Sequence, residues 1–163
     1  MTVMEMDMVA PEYGKRTLKE YSENLNNLLN TDKLFTKIYL INLALLITHE
    51  IDSAFWHEWE LFHLPGGIQL FLLINLALIF LFLVGAELVI KREKAGKIFS
   101  YLLAIIGILT FFIHLYFILN GNTRFLLPFS ILILLSIFFT SIAQLIIITH
   151  KFKNVVNTML IKT

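Results

Sequence analysis

The stretch GIQLFLLINLALIFLFLVGAELVI, Gly67–Ile90, decides how this chain is read. Its single charged residue is Glu87, near its end. A helix needs about 20 apolar residues to cross the hydrocarbon core of a bilayer. Lipid offers backbone N–H and C=O groups no partners, so a helix is the spanning element here. Working outward, three more runs have the same character: 34–55 before it, and 98–119 and 125–149 after it. The links between them are short. Leu64-Pro65-Gly66-Gly67 breaks the chain before the second run, 91–97 is a basic turn, and Asn120-Gly121-Asn122 is the last. Short links make neighbours antiparallel, so the expected fold is an all-α, up-down four-helix bundle integral to the membrane.

Composition agrees. Of the 163 residues 58% are hydrophobic and 15% charged, where a soluble domain carries about 25% charged. A net charge of +1 with segregated charges gives no reason to expect a nucleic-acid partner. Cysteine is absent, which excludes disulfides, iron–sulfur clusters and thiolate metal sites. The first thirty residues lack the apolar core of a signal peptide, so the first spanning helix is expected to direct insertion.

Residues 1–33 form the expected N-terminal tail. Leu18, Tyr21, Leu25, Leu28 and Leu29 recur at helical spacing, which predicts a short amphipathic helix. Thr31 and Asp32 are expected to cap the helix that follows, and Met1–Ala10 to fray. Residues 34–150 make the membrane domain and 151–163 a C-terminal tail. Lys15, Arg16, Lys19, Lys33 and Lys37 flank the first run, Lys91, Arg92, Lys94 and Lys97 the second turn, and Lys151, Lys153 and Lys162 follow the fourth. Arg124 alone stands at the opposite end. Basic residues favour the cytoplasmic side, so both termini are expected there, in a multi-pass protein of a bacterial inner membrane.

The end of the first run, THEIDSAFWHEWELFH (Thr48–His63), carries the chemistry. It holds His49, His57 and His63 with Glu50, Asp52, Glu58 and Glu60, and no Lys or Arg. Trp56 and Trp59 read as an interfacial aromatic belt. At 1.5 Å per residue His49 lies roughly 10 Å deeper than Trp56, and His114, six residues before Asn120, lies about 9 Å below the same surface. Two histidines on parallel helices thus share a depth where ionisable groups are costly and commonly functional.

Asp52 shares the face of His49, and in a continued helix Glu60 and His63 would extend it. His49, Asp52 and His114 therefore form a candidate two-histidine, one-carboxylate set for Zn²⁺, Fe²⁺ or Mn²⁺. Asn42, Glu50, Ser53, His57, Glu60, Asn75 and Ser130 are candidates for supporting that set or binding substrate. His57, Glu58 and His63 are expected to be solvated, and His150 to suit the last helix end. Glu87 is a separate buried acid at the opposite end, one turn from Lys91. Ser136, Thr140 and Gln144 form a polar stripe on the fourth helix, a packing seam. Two functions stay open: a metal site on the exoplasmic side that binds or hydrolyses a membrane-soluble substrate, and a non-enzymatic subunit of a homo-oligomer, channel-like assembly or larger complex. A haem held by His49 and His114 is a lesser option. A retinal Schiff base is excluded, because no Lys falls mid-membrane.

His49-x-x-Asp52 followed by aromatics and a Pro-Gly turn, with His114, Arg124 and Pro128 later, resembles the small bacterial membrane proteins named for an HXXEE motif. The resemblance covers these two regions, and Asp52-Ser53 stands where that type has paired glutamates. It implies a membrane site without naming a reaction.

Overall fold

The computed structural model describes residues 3–160, and side chains from 22 to 149 apart from Asn24 and Leu28. The described chain is helical: α1 (Val3–Phe55), the single turn α2 (Glu58–Leu61), α3 (Ile68–Ile90), α4 (Lys94–Leu119) and α5 (Pro128–Leu160). It divides into two units at Leu34. Residues up to Leu34 form the first, and Phe35 onward form the second, which carries the apolar core and the site described below.

Four segments are long and apolar enough to cross a membrane: Leu25–Phe55, Ile68–Ile90, Lys94–Leu119 and Pro128–Thr149. Their outward side chains, among them Ile51, Phe80, Leu119 and Phe129, are exposed. Leucine, isoleucine and phenylalanine on the outside of a bundle suit lipid. The chain is an all-α membrane protein.

The cap expected at Thr31 and Asp32 does not form. α1 runs through both, and the Thr31 hydroxyl donates to the Asn27 carbonyl at 2.9 Å, a mid-helix arrangement. No Gly or Pro stands there to stop the helix. Of the proposed amphipathic face, Leu18, Tyr21 and Leu28 lie outside the described side chains, as do His150 and the C-terminal tail's.

The turns share one device. The Leu64, Glu93 and Asn122 amides each donate five residues back, to the carbonyls of Trp59, Leu88 and Phe117. The residue before each amide has positive φ: His63, Arg92 and Gly121. That is the Schellman closure of a helix C-terminus, which satisfies otherwise orphaned carbonyls.

Helices pack closely through small residues. Gly85 lies under the Tyr39 hydroxyl, which donates to the Phe82 carbonyl at 2.9 Å. Gly107 faces the Ser141 hydroxyl, so a Cβ there would collide with it. Phe35, Tyr39, Leu43 and Leu46 of α1 join Phe82, Val89, Leu103 and Ile148 in one apolar core.

Mid-bundle, a polar network crosses that core. The Asn42 amide donates to Ser141 Oγ at 3.0 Å and to Gln144 Oε1 at 2.8 Å. Gln144 Nε2 in turn donates to the Ser100 carbonyl at 2.8 Å and Oγ at 2.7 Å. α1, α4 and α5 are tied together by side chains that are all buried. The seam on α5 is thus Ser141 and Gln144. Thr140 instead donates to the Ser136 carbonyl of its own helix at 2.6 Å.

Candidate metal centre

α1 ends at Phe55, and the chain turns sharply. His57 takes a left-handed conformation, φ 56°, which carries a steric penalty in a residue with a Cβ. The turn decides which acid points inward. Nine residues separate His49 from Glu58, and at 100° per residue a continued helix would put them on opposite faces. The break at His57 instead folds α2 back, and Glu58 is buried, 7% exposed. This corrects the expectation that Glu58 is solvated. Glu60, placed on the His49 face by a continued helix, is swung out and accepts from Arg124 Nη1 at 3.1 Å.

Glu58 meets the two histidines. His49 and His114 are 2% and 1% exposed, and their rings pack edge to face with centroids 4.6 Å apart. Glu58 Oε1 lies 3.6 Å from His114 Nε2. One donor atom from each of His49, Glu58 and His114 falls within 4.8 Å of the other two. Ligand atoms around a tetrahedral ion sit roughly 3.4 Å apart, so a small contraction would close the set.

The hydrogen bonds leave ligand atoms bare. His114 Nδ1 lies 2.9 Å from the Thr110 carbonyl. A carbonyl only accepts, so Nδ1 carries a proton, and in the neutral imidazole Nε2 then presents its lone pair. That Nε2 is buried without a hydrogen-bond partner, and so is His49 Nδ1. The other nitrogen of His49, Nε2, is 3.3 Å from Ser53 Oγ. In the tautomer whose Nε2–H donates to Ser53, His49 Nδ1 also presents a lone pair. Backbone or side-chain oxygens that fix the tautomer of a metal-binding imidazole are the usual supporting arrangement.

Asp52 is not in this group. Its Oδ1 accepts from Ser130 Oγ at 3.0 Å, and its Oδ2 is buried without a partner. Glu50 is half-buried and lies within electrostatic range of Asn75 of α3 and of Glu58. His57 is exposed, 3.8 Å from Glu60, and His63 is exposed with Nδ1 2.7 Å from the Glu60 carbonyl. Asn42 belongs to the mid-bundle network two turns deeper. Glu87 is exposed, not buried, and is hydrogen-bonded at 2.5 Å by Lys91, which this partner holds above its usual pKa.

Of three further contributors, only Arg124 carried a sequence signal, as the lone basic residue at this end. Thr110 acts through its carbonyl. Phe125, fully buried, packs edge-on against His114 with centroids 4.4 Å apart. Arg124 Nη1 also reaches the Trp56 carbonyl at 3.4 Å, pinning the turn that delivers Glu58.

A protein-family model described as "Family of unknown function (DUF6713)" matches residues 35–151, starting where the four-helix unit starts. No curated protein and no solved structure matches the chain.

Proposed function

The chain belongs to DUF6713, a family of unknown function, and from its residues we propose a membrane-embedded divalent-metal site made by His49, Glu58 and His114. One observation carries the reading: the bare Nε2 of His114 faces a carboxylate oxygen at 3.6 Å, with both groups buried. Two electron-rich atoms in a low-dielectric site need a cation between them, and a metal ion serves both and His49 besides. Two imidazoles and one carboxylate suit Zn²⁺, Fe²⁺ or Mn²⁺, and three protein ligands leave a position open for water or substrate. A bound ion there would supply Lewis acidity toward a membrane-soluble substrate. The Lys and Arg distribution supports an exoplasmic position for the site and cytoplasmic termini, in a bacterial inner membrane. The likeness to the HXXEE type supports a functional site at this end of the bundle.

The same contact favours a second reading, in which a proton takes the cation's place. His114 and Glu58 are then an ion pair that fixes the turn, in a non-enzymatic subunit of an oligomer or larger complex. Elemental analysis of detergent-purified protein separates the two. The metal reading expects about one ion per chain in the wild type, lost in His114→Ala and Glu58→Gln. A metal-free wild type that stays metal-free after incubation with Zn²⁺, Fe²⁺ and Mn²⁺ refutes it and leaves the ion pair.

A further inference from the structure

Beside the metal ligands, the last turn of α1 and the residue that follows it carry a second set of unsatisfied atoms. Asp52 Oδ2 and Trp56 Nε1 are both buried and both without a hydrogen-bond partner. They are four residues apart, hence neighbours on one helix face. The face is shared with His49, three residues before Asp52, and Ser53, three residues before Trp56. Ser130, 2% exposed in the first turn of α5, holds the other Asp52 oxygen and so fixes the carboxylate. Phe125 joins the two sets: its ring contacts His114, with centroids 4.4 Å apart, and Trp56, with centroids 6.4 Å apart.

An indole N–H only donates and a carboxylate oxygen only accepts. Leaving either buried and unpaired is costly, more so for the charged group. Their complement is a group that accepts from the indole and donates to the carboxylate, which is a hydroxyl or a primary or secondary amide. The lipid-facing residues of the same two turns, Ile51 and Phe55, are 67% and 70% exposed. A ligand at this level therefore needs an apolar body behind its polar head.

We propose that Asp52 and Trp56 bind the hydroxyl or amide head of an apolar, lipid-soluble ligand next to the metal ligands. This deepens the metal reading, on which it rests for the ligand's place beside the ion, by naming the class of substrate. Ordinary phospholipid headgroups are disfavoured, because a phosphate beside the Asp52 carboxylate would meet like charge.

Indole ¹⁵N–¹H resonances of the detergent-solubilised full chain test this, since the chain has two Trp residues and Trp59→Phe assigns the Trp56 signal. 1-Decanol, decanamide and decane are titrated in turn, with metal content measured on the same samples. The expected result is a saturable shift of the Trp56 resonance with decanol or decanamide and none with decane. Asp52→Asn keeps an acceptor for Ser130 but loses the carboxylate, and should weaken binding about tenfold with metal content unchanged. Asp52→Ala should abolish binding. An equal response to decane, no saturable response at all (one bound water filling the gap), or undiminished binding in both Asp52 variants overturns the proposal. A saturable Trp56 response in wild-type protein that binds no metal overturns the metal reading alone.

Discussion

Two buried polar clusters lie on α1, two turns apart, and they differ in how completely they are paired. Around Asn42, the side-chain amides and hydroxyls of Ser141, Gln144 and Ser100 find partners at 2.7–3.4 Å. Around His49, the unpaired atoms gather: His49 Nδ1, His114 Nε2, Asp52 Oδ2 and Trp56 Nε1. Both clusters displace apolar packing, yet only the first finds partners within the chain for all its buried polar side-chain atoms. A closed network fixes helix register. An open one, beside which a carboxylate has been folded in, awaits something from outside. The contrast predicts that mutations in the two clusters separate stability from ligand content.

The largest effect is expected at the open cluster. His49→Ala, His114→Ala and Glu58→Gln should each bring bound metal from about one ion per chain to near zero. Chelation should lower the thermal midpoint of the wild type and leave that of His114→Ala unmoved, because a ligand stabilises only a state that binds it. Wild-type metal content in all three variants would erase the distinction between the clusters.

Next comes the closed cluster. Asn42→Ala leaves Gln144 Oε1 and Ser141 short of a partner, and should destabilise the bundle by about 1–2 kcal/mol in denaturant unfolding from detergent. Metal content should not change. If Asn42→Ala removes the ion while leaving stability intact, the network has been assigned to the wrong cluster.

How much of this was legible beforehand follows from periodicity. Apolar runs report directly on lipid, so the number and order of the four long helices were readable, although α1 runs back past the start expected at residue 34. The shared depth of His49 and His114 followed from counting along two straight helices. The third ligand did not, because Glu58 reaches the site only through a reversal at His57, and nothing in Phe55-Trp56-His57-Glu58 marks a break as Gly or Pro would. Asp52 was the better candidate on helical spacing, and Ser130 claims one of its oxygens. The Asn42–Gln144 pairing was hidden for another reason: it joins residues 102 positions apart, and rotation of one helix against another is not encoded in either alone.

His57 gives the third test. Glycine adopts φ near 56° without a Cβ penalty, so His57→Gly should keep the metal and stabilise the turn by up to about 1 kcal/mol. His57→Pro fixes φ near −65°, cannot make the reversal, and should release Glu58. Metal content in that variant should drop as in Glu58→Gln while helicity by circular dichroism stays at the wild-type level. Retention of the ion in His57→Pro would mean that the turn does not position Glu58.

The smallest effect belongs at the opposite end, where Glu87 and Lys91 pair in the open. Solvent screens exposed pairs, so Glu87→Gln should leave both metal content and thermal midpoint unchanged within error. The pH dependence has a definite sign. A lysine whose pKa is raised in the folded state contributes its stabilisation in full below the ordinary lysine value of about 10.4 and loses it only as pH climbs through the higher folded value. Wild type and Glu87→Gln should therefore run parallel from pH 6 to 9 and converge, if they differ at all, only above that range. A difference that opens within it, accompanied by loss of metal, would couple this end of the bundle to the histidines.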